Sequence, residues 1–141
     1  MLAEQIGAKL KGGEVIELAS DLGGGKTTFV RGLAKGMGST DTVRSPSFTI
    51  SNEYRSGKLT MYHFDFYRLQ EPGIMRDELA ESLEDPSGIV VLEWAGIIKD
   101  VLPADRLSLH IRATGETTRE LRVQYPEQYR YLLPSNGEAR E

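Results

Sequence analysis

The stretch SDLGGGKTT, residues 20–28, decides the fold. Before it lies EVIELA (14–19), which is short and rich enough in β-branched residues to predict a strand. After it, the apolar residues of 26–35 recur on one helical face, which predicts a helix that Gly36 and Gly38 close. The order strand, glycine-rich turn and helix is more informative than any single residue in it.

The glycine-rich turn has the composition of a phosphate-binding loop. Glycines at Gly23, Gly24 and Gly25 let the main chain approach a polyphosphate, and the N–H groups at a helix N-terminus point towards the anion. Lys26 is expected to contact the β- and γ-phosphates, and the hydroxyl of Thr27 to bind the magnesium ion that neutralises them. The sequence therefore predicts a site for a magnesium–nucleotide complex.

One position departs from the motif G-x-x-x-x-G-K-[ST], which has glycine where this chain has Ser20. Serine costs about 1–2 kcal/mol there if the backbone must be left-handed, and almost nothing if only a small side chain is required. The alternative interpretation is a glycine-rich turn that binds no ligand. The position of Gly25-Lys26-Thr27 between a strand and a helix favours the phosphate loop.

In addition to its hydroxyl ligand, a phosphate loop needs an acidic group at the end of a buried strand to hold the magnesium ion. The segment GIVVLEW (88–94) carries four consecutive aliphatic residues, which fits a strand buried on both faces at the centre of a parallel sheet. Glu93 follows that run directly. Because charged side chains are rarely buried, a carboxylate at this position indicates a functional role. The alternative is that Glu93 emerges at the sheet edge. Trp94 beside it is interpreted either as a core residue or as part of the nucleotide site.

The aromatic segment YHFDFYR (62–68) supplies a second acidic candidate, Asp65. The alternatives for Asp65 are a salt bridge to Arg68 and a turn cap. The nearby His63 is expected to be packed and hydrogen-bonded rather than catalytic, because nothing near it suggests a triad or a metal cluster.

The remaining patterns predict the elements around this loop. Helical spacing predicts two further helices, over residues 1–12 and 71–84. Alternating segments predict two antiparallel hairpins, formed by residues 47–55 with 58–68 and by residues 106–113 with 119–125. The turn of the first hairpin is expected at Ser56-Gly57.

Together these elements indicate an α/β sandwich of the P-loop NTPase type. Its central sheet is expected to be mainly parallel and extended by antiparallel hairpins, with the ligand at the carboxyl ends of the strands. We expect a single domain over residues 1–133, followed by a polar, frayed tail over residues 134–141.

Composition excludes several classes of protein. The 141 residues contain no cysteine, so disulfides, thiolate zinc sites, iron–sulfur clusters and cysteine nucleophiles are excluded. No apolar run reaches the length of a membrane span, and the first residues lack the pattern of a signal peptide, so a soluble, cytoplasmic protein is expected. The 17 basic and 21 acidic residues give a net charge of −4, which argues against an extended nucleic-acid interface.

The motifs of this chain resemble those of the TsaE family, small bacterial P-loop ATPases of tRNA threonylcarbamoyladenosine (t6A) biosynthesis. The resemblance extends from the first helix to the last hairpin. Its motifs are SDLGGGKTTFVRGLAKGMG (20–38), SPSFTISNEY (45–54), YHFDFYRL (62–69), VVLEWAG (90–96) and LPADRL (102–107). The phosphate loop alone indicates a nucleotide-binding protein, whereas HFDFYRL followed by LEW in so short a chain is far more specific.

The resemblance implies a role for each matching residue, with ATP and Mg²⁺ as cofactors. Residues Gly23 to Thr28 are expected to wrap the phosphates, with Thr27 and Glu93 as magnesium ligands. Asp65 is expected to support the metal or the attacking water. Ser47 matches a segment near the γ-phosphate in which threonine is usual, and Arg119 matches an arginine that reaches the nucleotide.

The resemblance also implies partners. In the family, carbamoyl transfer to adenosine 37 of tRNAs that read ANN codons takes place on TsaD with TsaB. The ATPase binds to these proteins and its hydrolysis supports turnover of the complex. The chain is therefore expected to hydrolyse ATP slowly alone and to contact tRNA only through the complex.

Three alternatives stay open at the level of sequence. A small metabolite kinase usually devotes a lid and an insertion to its acceptor, whereas the stretch between the phosphate loop and Glu93 is mostly hairpin. An adaptor of the same fold without bound nucleotide is suggested only by Ser20. A GTPase is disfavoured because the chain lacks an Asn-Lys-x-Asp string.

Overall fold

The computed structural model describes residues 2–20, 26–40, 51–65, 73–93, 105–115 and 119–133. The helices within these ranges are α1 (Leu2–Ala8), α2 (Lys26–Met37), α3 (Gly73–Glu84) and a 3₁₀ helix (Glu127–Leu132). The strands are β1 (Val15–Ser20), β2 (Ser51–Ser56), β3 (Leu59–Asp65), β4 (Gly88–Glu93), β5 (Leu107–Ala113) and β6 (Arg119–Gln124).

The described strands form a six-stranded sheet in the order β2-β3-β4-β1-β5-β6. Strand β1 pairs in parallel with β4 and β5, and β4 pairs in parallel with β3. The edge strands β2 and β6 are antiparallel to their neighbours. Every residue of β4 is buried, as its apolar sequence predicts for a strand covered on both faces. The predicted mainly parallel sheet with hairpin extensions is confirmed.

Helices cover both faces of this sheet. Residues of α1 and α2 form one core cluster with alternate residues of the strands, among them Ile16, Leu18 and Val91. Helix α3 contacts β4 from the other side, where Leu79 is fully buried. Across the described ranges, no helix is both long and apolar enough to cross a membrane.

Of the two glycines predicted to close α2, Gly38 does so, whereas Gly36 lies within the helix at its close contact with α1. The backbone of Glu4 in α1 lies against Gly36, and a Cβ atom at Gly36 would overlap the Glu4 carbonyl oxygen. The glycine therefore serves helix packing, and α2 ends in a left-handed turn at Gly38, with φ of 96°.

Two further predictions of local structure need correction. Helix α1 ends at Ala8 rather than extending over the first dozen residues, although Leu10 beyond it is still buried. The β2–β3 turn is Gly57-Lys58 rather than Ser56-Gly57, because Ser56 stays in the ladder opposite Leu59. The predicted tail over 134–141 and residues 94–104 lie outside the described residues.

A buried carboxylate at the amino end of β1 ties the C-terminal 3₁₀ helix to the sheet. Glu14 accepts hydrogen bonds from the N–H groups of Lys11 (2.8 Å) and Gly12 (2.7 Å). The hydroxyl of Tyr131 donates to the same carboxylate at 2.5 Å. This 3₁₀ helix and its contact with Glu14 were not predicted, because a single short turn has no periodicity that the sequence reveals.

Candidate functional site

The carboxyl ends of the parallel strands meet at one edge of the sheet. Strand β1 ends at Ser20 and β4 ends at Glu93, and Leu18 of β1 is in register with Glu93. Helix α2 begins at Lys26, so residues 21–25 connect this edge to the N-terminus of α2. The predicted strand and helix therefore lie on either side of the glycine-rich stretch.

Glu93 closes the central strand as a buried carboxylate. The residue is only 3 % exposed, so it does not simply emerge into solvent at the edge of the sheet. Asp65, the last residue of β3, is in register with Glu93. The two acidic positions singled out from the sequence are thus neighbours on adjacent strands, next to the strand that leads into residues 21–25.

His63 holds one oxygen of Glu93. The imidazole is fully buried, and its Nε2 lies 2.5 Å from Oε2 of Glu93. His63 is in register with Val91, two residues before Glu93 on the neighbouring strand, which puts both polar side chains on the same face. A carboxylate that binds a metal ion is ionised and only accepts hydrogen bonds, so in a metal-binding Glu93 the Nε2–H group of His63 is the donor.

The expectation that His63 is packed and hydrogen-bonded is confirmed. Its contact with Glu93 was missed, because the contact depends on the register of two strands whose residues lie 30 positions apart in sequence. The alternation of polar residues in HFD was the available signal, since it puts His63 and Asp65 on one face of β3.

The other predicted site residues fall at this edge or outside the described residues. Lys26, Thr27 and Thr28 are the first three residues of α2, and Thr28 is exposed. Arg119 opens β6 opposite Ala113, the last residue of β5, and so lies at the carboxyl edge of the parallel strands. The predicted residues outside the described part are Gly23, Gly24, Gly25, Ser47 and Trp94.

The donor chemistry at this edge fits Mg²⁺. Magnesium prefers oxygen ligands and is usually held by one or two carboxylates together with substrate phosphates, rather than by a complete protein cage. Glu93 supplies a buried carboxylate, and a helix N-terminus such as that of α2 favours anions. Within the described ranges no group of three or more His, Cys, Asp or Glu residues could hold a metal ion.

A mainly parallel sheet between helical layers, with a buried carboxylate on the strand beside the one that precedes α2, defines an α/β protein with the fold of P-loop NTPases. A family model described as threonylcarbamoyl adenosine biosynthesis protein TsaE matches residues 1–121. The chain belongs to the TsaE family.

Individual relatives agree with this assignment. The chain is 40 % identical over 120 residues to the tRNA threonylcarbamoyladenosine biosynthesis protein TsaE of Bacillus subtilis, a match that covers 85 % of this chain and 75 % of the relative. It is 44 % identical over 93 residues to the protein of that name from Nostoc, which covers 64 % of this chain and 57 % of the relative. The crystal structure of Bacillus subtilis YdiB superimposes with a TM-score of 0.73 at 37 % identity, covering 93 % of this chain and 81 % of that one.

Proposed function

We propose that this chain is a cytoplasmic, magnesium-dependent ATP-binding protein with weak ATPase activity that is required for the formation of t6A in tRNA. It acts in a complex with TsaD and TsaB and contacts tRNA through them. The observation that carries the proposal is Glu93, a buried carboxylate at the end of a wholly buried strand, beside the strand that leads through residues 21–25 into α2. Membership of the TsaE family supports the assignment to t6A biosynthesis.

Each residue of the proposed site has a chemical role. Residues 23–28 bind the triphosphate through main-chain N–H groups, and Lys26 neutralises charge on the β- and γ-phosphates. Thr27 and Glu93 supply oxygen ligands to Mg²⁺, and Asp65 orients the metal or a water molecule. The bound metal ion would reduce the negative charge that develops on the transferred phosphoryl group.

The other residues of the proposal concern nucleotide position. Ser47 offers a hydroxyl near the γ-phosphate, Trp94 contacts the nucleotide next to Glu93, and Arg119 reaches the nucleotide from the first residue of β6. Since the chain carries a net charge of −4, recognition of tRNA by its partners is in better accord with its charge than direct binding.

The substitution Lys26→Ala tests the proposal. In a reconstituted reaction with TsaD, TsaB and tRNA, this variant should lose magnesium-dependent ATP binding, nucleotide-dependent assembly with its partners and t6A formation. Its circular dichroism spectrum should stay that of the original chain. Lys35→Ala is the matched control, because Lys35 lies near the other end of α2 with a side chain that is 78 % exposed.

Three results would contradict the proposal. Unchanged ATP hydrolysis and t6A formation in Lys26→Ala would remove the phosphate-binding role of the loop. Efficient phosphoryl transfer from ATP to a nucleoside, sugar or cofactor would identify a metabolite kinase instead. If the original chain binds no ATP in the presence of magnesium, it is an adaptor that keeps the fold without the ligand.

A further inference from the structure

The pair formed by His63 and Glu93 lies in the core beneath the carboxyl edge of the sheet. The side chain of His63 is inaccessible to solvent and that of Glu93 is 4 % exposed. Apolar residues of the core cluster surround the pair along the strands, with Met61 before His63 on β3 and Val91 before Glu93 on β4. The hydrogen bond between His63 and Glu93 is therefore buried, next to apolar residues of the core cluster on the same strands.

Stability alone does not account for this contact. Replacing both partners of a buried hydrogen bond by apolar groups of the same shape can be nearly neutral or stabilising. His63 also leaves its Nδ1 atom without a hydrogen-bond partner in the described part of the chain. A buried polar atom without a partner costs about 1–3 kcal/mol. The imidazole thus opposes stability at one nitrogen while its other nitrogen fixes Glu93.

The geometry at Glu93 indicates what the imidazole does. The Nε2–H group of His63 donates to Oε2, which restricts rotation about the side-chain bonds of Glu93. Carboxylates that bind metals are commonly held by such outer hydrogen bonds, which orient them towards the metal. The ring cannot at the same time use Nε2 as a metal ligand, because that nitrogen carries the shared proton.

We infer that His63 is a positioning residue that holds the Glu93 carboxylate in the orientation required to bind Mg²⁺ with the nucleotide. The inference rests on the proposed function, since it assigns the affinity for the metal to a residue that touches neither metal nor nucleotide. Loss of the Nε2–H donor should weaken binding of Mg²⁺ by about 10- to 100-fold and leave binding of the metal-free nucleotide unchanged.

The experiment compares three variants at His63. Gln places an N–H group near the position of Nε2, so His63→Gln should keep the hydrogen bond. Asn is shorter and mimics Nδ1, so His63→Asn should lose it, as should His63→Leu. Folding is checked by circular dichroism, because removing a partner of a buried carboxylate is destabilising and His63→Leu can fail to fold. In that case the comparison of Mg²⁺ binding is made between His63→Asn and His63→Gln alone.

The measurement is a titration of Mg²⁺ against protein with a fluorescent ATP analogue. Affinity for the analogue is also measured in EDTA. His63→Asn and His63→Leu should need about 10- to 100-fold more Mg²⁺ at the midpoint, and His63→Gln should stay within a few-fold of the original chain. The affinities in EDTA should agree among all the proteins. Tyr62→Phe is the control, because Tyr62 neighbours His63 but hydrogen-bonds to Asp85, away from the site.

A second comparison separates positioning from a structural effect. If His63 acts through Glu93, then adding His63→Asn to Glu93→Gln should cause no further change in the Mg²⁺ midpoint. An Mg²⁺ midpoint for His63→Asn equal to that of the original chain would overturn the inference and leave the proposed function standing. Equal weakening by Gln and Asn would also overturn it. Absence of magnesium-dependent binding in the original chain would overturn the proposed function and this inference together.

Discussion

Tyr62 donates a hydrogen bond to Asp85 at the amino-terminal edge of the sheet, with 2.7 Å between the hydroxyl oxygen and Oδ2. The other carboxylate oxygen of Asp85 accepts from the N–H of Ser87 at 2.9 Å. The bond to Asp85, together with burial of the phenol, raises the pKa of Tyr62 from 10.0 to about 12. The same bond, followed by that from Ser87, holds the pKa of Asp85 below its usual 3.8.

The Tyr62–Asp85 bond should make stability fall at alkaline pH. Between pH 10 and about 12 the folded chain keeps the Tyr62 proton that the unfolded chain has lost, so the free energy of unfolding decreases as pH rises through this window. Tyr62→Phe should remove this contribution. Urea denaturation at pH 7, 10 and 11 should therefore show a difference between the two proteins that shrinks as pH rises.

Asp85 provides a control at acidic pH, where stability should change with pH in the opposite direction. Because the pKa of Asp85 is lowered in the folded chain, its contribution is present above about pH 4 and is lost as pH falls below that value. Asp85→Asn should flatten this acid-induced loss. A constant difference between Tyr62→Phe and the original chain from pH 7 to 11 would contradict the assignment of the raised pKa to Tyr62.

Glu93→Gln should separate stability from activity. Gln keeps the shape of the side chain and accepts the hydrogen bond from His63, but it removes a buried charge, so thermal stability should be unchanged or higher. ATP turnover dependent on Mg²⁺ should fall by about 100-fold or more, as expected when a group that stabilises the transition state is lost. Melting temperatures and steady-state phosphate release test this, and a less stable but fully active variant would contradict it.

Gly36→Ala should destabilise the fold, although alanine is normally about 1 kcal/mol better than glycine within a helix. The new Cβ would overlap the carbonyl oxygen of Glu4, which belongs to the backbone and cannot rotate away. Overpacking of this kind costs about 1–3 kcal/mol. Urea denaturation gives the sign of the change in the free energy of unfolding. A more stable variant would show that α1 moves away from Gly36 without cost.

A paired substitution provides the control for this contact. A Cβ atom at Gly32 would lie 2.5 Å from the Cβ atom of Ala3, which is a side-chain atom and can be removed. Gly32→Ala alone should therefore be destabilising, and Ala3→Gly should recover part of that loss in the double variant. Strict additivity of the two changes would indicate that the helices do not touch at this point.

Tyr131→Phe should weaken the attachment of the 3₁₀ helix. The substitution removes the hydrogen bond to the buried Glu14 and keeps the ring beneath the ammonium group of Lys11, 4.1 Å from its centroid. Hydrogen bonds to charged groups contribute about 1.5–3 kcal/mol, and the unfolding free energy should fall by that amount. Tyr125→Phe is the control because Tyr125 is exposed, and equal effects of the two changes would contradict the role of Glu14.

The sequence predicted those features that local patterns encode. The apolar run of β4 predicted its burial, and its position in the sheet follows from the same lack of polar residues. The strand before residues 21–25 and the helix after them were predicted from periodicity to within two residues at each end. Glu93 was found as a site candidate because a carboxylate ending an apolar strand is unusual.

Contacts between distant segments explain what the sequence did not predict. Glycine is typical of a helix end, but the role of Gly36 depends on how closely α1 crosses α2. The contact of His63 with Glu93 depends on the register of β3 against β4. The attachment of Tyr131 to Glu14 joins residues 117 positions apart. None of these pairings leaves a periodic signal in a single sequence.

The central position of β1 constrains when the protein can fold during synthesis. Its parallel partners come late in the chain, since Val15 pairs with Val90 and Ile16 with Leu107. By contrast, β2, β3 and β4 are consecutive strands and can associate as they leave the ribosome. The strand that leads into residues 21–25 therefore has no neighbouring strand to pair with until most of the polypeptide has been translated. A nascent chain stalled before β5 would be a natural substrate for chaperones.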